Sequence, residues 1–153
     1  MDRLLANLYG SFCTAPIYTT TFTSQTANSI SWGAKTGTSD IVHTTNTSNF
    51  LFQTPGVYVV KVSFTSQAGS TVGIAVTLLQ SGASNWVQTC LPVPAYTTVD
   101  FTFPLVTIQL FQTLAMSLYP TGSGFTVAPT CSSQGANVAG SLACSFINIM
   151  RIG

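Results

Sequence analysis

Val57-Tyr58-Val59-Val60-Lys61-Val62-Ser63-Phe64-Thr65 has a period of two: Tyr58, Val60, Val62 and Phe64 make one apolar face, while Lys61, Ser63 and Thr65 turn the other way. A helix would need apolar residues three and four apart, so this stretch reads as a strand lying on a core. Working outward, the alternation returns in Ile74, Val76 and Leu78, in Val99, Phe101 and Phe103, in Val106, Ile108 and Leu110, and in Leu114, Met116 and Leu118. Breakers bound these runs: Thr54-Pro55-Gly56, Gln67-Ala68-Gly69-Ser70, Gln80-Ser81-Gly82-Ala83-Ser84, Leu91-Pro92-Val93-Pro94 and Pro120-Thr121-Gly122-Ser123-Gly124. Short strands between Gly and Pro turns predict an all-β fold, an antiparallel sandwich or jelly roll of roughly 8–10 strands. The absence of a repeating unit argues against a propeller or solenoid.

The chain has 153 residues, a length that suits one domain, expected to span 1–153. Residues 1–9 read as an N-terminal arm or a short helix from Asp2 to Tyr9, with Asp2 as N-cap and Gly10 as stop, or as entry into a first strand. Met1-Asp2-Arg3-Leu4-Leu5-Ala6-Asn7 falls short of a signal peptide, because Asp2 sits beside the only early cation and Asn7 interrupts the apolar run. No stretch is long and apolar enough to suggest membrane insertion.

Charge is the unusual quantity. Lys and Arg number 4, Asp and Glu 3, and charged residues make up 5% of the chain where about 25% is usual. Four scattered cations cannot displace counterions along a phosphate backbone, so a nucleic-acid partner is not expected. Disorder is excluded by 46% hydrophobic content at a net charge of +1. The polar surface must come from Ser and Thr, 41 residues together, and from Asn and Gln, 15 more. A neutral hydroxyl and amide surface suits a permanent assembly better than a freely diffusing monomer, which net charge would keep apart from its copies.

The last stretch, Ala143-Cys144-Ser145-Phe146-Ile147-Asn148-Ile149-Met150-Arg151-Ile152, carries apolar side chains on both faces, Phe146 and Met150 on one and Ile147 and Ile149 on the other. A strand of this kind is usually covered on both sides. A single sandwich covers only one, so the second needs either a folded-over loop or another copy of the chain.

These features together resemble the tumour-necrosis-factor-like jelly roll, a family that includes the globular heads of complement-type proteins and the C-terminal domains of collagen-like spore-surface proteins. The resemblance rests on Phe50-Leu51-Phe52-Gln53-Thr54-Pro55-Gly56-Val57-Tyr58-Val59-Val60-Lys61-Val62-Ser63-Phe64, a short strand, a Pro-Gly turn and a strand opening apolar-Tyr-apolar. Tyr9-Gly10-Ser11-Phe12 is similar to the family's first strand. Ile30-Ser31-Trp32 and Asp40-Ile41-Val42-His43 are similar to its return strands, and the segment 145–152 to its closing strand. The Gly-Asp or Gly-Glu turn common in the family is replaced by Phe111-Gln112-Thr113, which puts that loop's geometry in question.

The resemblance implies a homotrimer whose first, third and last strands line the threefold axis. Val57, Val59, Tyr119 and either Phe146 or the pair Ile147 and Ile149 would then face neighbouring subunits. The nearly uncharged Ser/Thr-rich surface, without a collagen-like stalk or export signal, makes the expected structural role that of a virion capsid, spike or decoration protein, located on a virion or extracellular particle surface beside other surface proteins. The alternative is a receptor- or glycan-binding head of a secreted or spore-surface protein, with Trp32 and Trp86 as candidate ligand contacts.

The inventory for chemistry is short: Asp2, Asp40, Asp100, His43, Cys13, Cys90, Cys131 and Cys144. Asp40 and His43 are close in sequence, but no Cys–His or Ser–His signature surrounds them, and no enzyme activity or cofactor is expected. The cysteines form no close pair and there is one histidine, so zinc is not expected. Three dispersed Asp residues do not suit calcium. The cysteines read as small buried hydrophobes, with two disulfides as the alternative, Cys144 among Leu142, Ala143 and Phe146 being the clearest case of the first reading. Gly122-Ser123-Gly124 lacks the Lys and the helix of a phosphate loop. Asn46-Thr47-Ser48 is the sole glycosylation triplet.

Overall fold

The computed structural model describes residues 10–67, 72–83, 85–90, 92–131 and 142–153; the arm or helix expected over 1–9 lies outside them. Every regular element among the described residues is a strand: β1 (Phe12–Pro16), β2 (Thr21–Phe22), β3 (Asn28–Ser29), β4 (Thr36–Gly37), β5 (Ile41–Val42), β6 (Phe50–Phe52), β7 (Gly56–Thr65), β8 (Ile74–Gln80), β9 (Trp86–Cys90), β10 (Thr98–Ile108), β11 (Thr113–Pro120), β12 (Phe125–Thr126), β13 (Thr130–Cys131), β14 (Leu142–Ala143) and β15 (Phe146–Arg151). One sheet runs β10-β7-β15-β1-β4 and the facing sheet β5-β6-β11-β8-β9, all paired antiparallel.

The period-two faces read from the sequence meet between these sheets. Tyr58, Val60, Val62 and Phe64 of β7 and Ile147 and Ile149 of β15 are buried against Ile74, Val76 and Leu78 of β8 and Leu114, Met116 and Leu118 of β11. Phe50 and Phe52 of β6 complete the layer, Phe52 meeting Tyr58 edge-on at 4.9 Å between ring centroids, an arrangement aromatic rings favour. The Tyr58 hydroxyl escapes the apolar layer by donating to the Thr54 carbonyl at 2.7 Å, across the Pro-Gly turn.

The runs around Phe103 and Val106 belong to one strand rather than two. The pairing of β10 with β7 shifts between Phe103 and Val106, and the two intervening residues, Pro104 and Leu105, both point outward. A bulge of this kind re-aims side chains, and the missing Pro104 N–H is tolerated because β10 is an edge strand.

Cys144 departs from the reading as a free thiol: it is disulfide-bonded. The segment is not one continuous strand, since β14 ends at Ala143 and β15 starts at Phe146, and at that break the strand alternation no longer dictates what the side chain meets. Cys13 is free and buried, as expected; the side chains of Cys90 and Cys131 lie outside those described.

The turn before β11 holds its shape without a glycine. Phe111 takes φ 61°, its N–H donates to Phe52 O at 2.8 Å and that of Gln112 to Gln109 O at 3.1 Å. The Gln112 side chain accepts from Gln109 N–H and from Gln80 Nε2, each at 2.9 Å. This left-handed conformation costs a residue with a Cβ about 1–2 kcal/mol. At Gly37 the same freedom is essential, for φ is 136° and a Cβ there would run into the Phe12 carbonyl. Chemical denaturation is therefore expected to show Phe111→Gly raising stability by about 1 kcal/mol, because the exposed ring gives up little burial. Gly37→Ala should lower it by more than that, by adding a clash to backbone strain.

Candidate functional site

The pairing register sets what the first sheet offers to its surroundings. Phe12 stands opposite Met150 and Met150 opposite Val59, and residues directly opposed on antiparallel strands share a face. These three form an apolar row across β1, β15 and β7 on the side away from the core, with Phe12 39% and Met150 50% exposed and Val59 half-buried. Val57, also half-buried, stands on the same face two residues before Val59. The next row is polar: Thr14, Asn148, Lys61 and Thr102. Beyond it come Pro16, Phe146, Ser63 and Asp100. Lys61 and Asp100, both half-exposed, approach to 3.9 Å, an ion pair worth little in water.

Of the residues expected to meet neighbouring subunits, Val57, Val59 and Phe146 thus lie on one outer face. Ile147 and Ile149 do not: they are 1% and 0% exposed and belong to the inter-sheet core, because odd positions of β15 point inward once Ile149 pairs with Val60. Tyr119 is 40% exposed but sits on β11 in the other sheet, opposite Ala75, away from that row. Trp32 is fully buried, held by main-chain bridges to Ile17 and Thr47. A side chain inside the core cannot contact a ligand, which removes Trp32 as a candidate.

Trp86 is available, 41% exposed at the start of β9. With Gln80, Ala83, Asn85, Leu105 and Thr107 it lines an open cleft of about 500 Å3 where the edges of the two sheets approach each other. Leu105, thrown outward by the bulge, is 62% exposed. Gln80 is nearly buried and bridges the sheets, its Nε2 donating to Thr107 O at 2.5 Å. Lower on the same edge Gln88 Nε2 donates to Thr102 O at 2.6 Å. The sequence supplied Trp86; Leu105 was hidden, because only the pairing partner reveals a bulge.

The residues considered for chemistry are occupied separately. The ring nitrogens of His43 face the carbonyls of Asn49 at 2.9 Å, Trp32 at 3.0 Å and Gly33 at 3.1 Å, with its ring stacked 4.4 Å from Phe50. Asp40 is 2% exposed and accepts from the Ser11 hydroxyl. Burial holds the Cys13 thiol protonated, pushed up to about 11 despite Lys35 nearby. Among the described residues no three His, Cys or Asp side chains group as metal ligands.

This strand order, with the closing strand β15 between β1 and β7, is that of a tumour-necrosis-factor-like jelly roll. Similar solved structures are the PRD1 vertex protein P5 (TM-score 0.62, 13% identity, covering 94% of this chain and 97% of that one), murine APRIL (0.59, 10%, 93% and 98%) and the globular domain of zebrafish complement 1qA protein (0.55, 10%, 92% and 97%). No family model and no curated protein matches the sequence.

For Asp40, desolvation favours the neutral acid, but hydrogen bonds from Ser11, with Thr38 and Thr54 contributing, outweigh it and hold the carboxyl below its ordinary value. A carboxyl lowered on folding contributes stability above its unfolded value of about 3.9, and that contribution is lost as pH falls through the folded value. Asp40→Asn is expected to cost about 1–3 kcal/mol at neutral pH by leaving the buried Ser11 hydroxyl without its charged acceptor. It should also flatten the fall in stability below about pH 4, read from denaturant titrations across pH.

Proposed function

We propose that the chain is a noncatalytic, single-domain structural protein that assembles as a homotrimer at a particle surface, that of a virion. The observation carrying the reading is the apolar row Phe12, Met150 and Val59, extended by Val57 on the same face. It is built on β1, β7 and β15, the strands that the family resemblance assigns to a threefold axis. Covering the part of these side chains that is still exposed is worth about 25 cal/mol per Å2 of apolar surface before entropy, and a trimer buries one such row on each of its subunits.

Two further features support the particle assignment. A chain with 5% charged residues has little repulsion to overcome when copies pack densely. The fold is also that of the PRD1 vertex protein P5, which spans nearly the same length. Among the described residues the buried Cys13 and the separately engaged Asp40 and His43 do not come together as acid, base and nucleophile, which is consistent with a structural role.

Light scattering on the purified chain should give a mass near three times 16.1 kDa, unchanged by reducing agent because the contact is apolar. Val59→Asp, which places a charge in the middle of the row, should yield folded monomers. A wild-type monomer, or a trimer indifferent to Val59→Asp, would overturn the reading.

A further inference from the structure

The cleft between the sheet edges is a site the trimer does not call for, and its chemistry is specific. Its large apolar walls are Trp86 and Leu105, 41% and 62% exposed, and its polar residues are Gln80, Asn85 and Thr107. None of these residues carries a charge, so an anion or cation would enter without a partner. A wholly apolar ligand would strip water from the exposed Asn85 amide and return nothing. What fits is a molecule with an apolar face and a rim of neutral hydroxyls.

We infer that the Trp86 cleft binds a neutral pyranose, its C–H face against the indole and Leu105 and its hydroxyls against Asn85, Gln80 and Thr107. The volume, about 500 Å3, lies within the roughly 300–1,000 Å3 typical of small-molecule sites. The wall is held in place: the bulge at Pro104 and Leu105 sets one side, and Gln80, 7% exposed and bonded to Thr107 O and to Gln112, sets the floor. Pre-positioned groups of this kind reduce the ordering cost of binding. The inference stands whether or not the chain is trimeric; three copies would add avidity on a glycan-coated surface.

The test is a titration of the wild-type chain with methyl glycosides of galactose, glucose and mannose, with N-acetylglucosamine, and with lactose and sialyllactose, followed by saturation-transfer NMR and by tryptophan fluorescence. At least one neutral sugar is expected to bind with millimolar affinity, with no gain from the sialic acid. Trp86→Ala and Leu105→Ser should each weaken it at least tenfold while circular dichroism stays unchanged. Should Trp86→Ala fail to fold, Asn85→Ala on the exposed rim must show the loss. Absence of binding by every sugar, or binding unaffected by these substitutions, overturns the inference. If no sugar binds and Trp86→Ala lowers the mass seen by light scattering, the cleft is a subunit contact; the saccharide site is then overturned and the homotrimer is not.

Discussion

The insertion of the last strand between β1 and β7 is the constraint on which everything else hangs. β15 pairs with β1 on one side and β7 on the other, and the chain end is tied down further by Val57 N–H to Gly153 O at 2.9 Å, Ile152 N–H to Val57 O at 2.7 Å and Arg151 N–H to Ser11 O at 2.8 Å. Without β15, β1 would lose its long neighbour, the inner faces of β8 and β11 would lose Ile147 and Ile149, and the apolar row outside would lose Met150. One strand thus closes the core and completes the candidate subunit face. The pairing of β15 with β1 is almost as far apart in sequence as the chain allows, so it must form against a large loop-closure entropy.

With few charges, hydroxyls satisfy the buried main chain. Ser145 accepts from Thr65 N–H at 2.9 Å and donates to Ala128 O at 2.6 Å. Ser66 donates to Pro94 O and accepts from Thr97 N–H at 3.1 Å. Such short side chains reach only local partners, and that ties the loops at this end of the sandwich to the ends of β7 and β15. The same chemistry explains why a protein rich in Ser and Thr retains a dry core: the hydroxyls are used at the strand ends, and the layer between the sheets is left to Val, Ile, Leu and Phe.

The core was legible where one strand carries its own alternation. Val60, Val62 and Phe64 announce their burial because Lys61 and Ser63 stand between them. Legibility failed where orientation depends on a partner. Phe146 and Ile147 are both apolar, and only the register with β7 decides which points inward. The outward turn of Leu105 comes from a bulge that no residue type signals, since Pro104 alone is compatible with a strand end. Trp32 shows the ambivalence of tryptophan, large enough to anchor a core and polar enough to suggest a ligand. Phe111 shows a turn surviving the loss of its usual glycine, because Gln112 supplies from its side chain the bonds that hold the loop.

The open side of the sandwich has a consequence for the conditions the protein can tolerate. Edge strands invite pairing with other chains, and natural sheets commonly deter it with lysine. Here the carbonyls of Thr102 and Thr107 on the edge strand β10 are taken by the amides of Gln88 and Gln80. Lysine repulsion fades as ions screen it, whereas an amide bonded to a carbonyl has no net charge to screen and no proton to lose. The guard on this edge is therefore the same in brine as in fresh water, and the same in acid as in base.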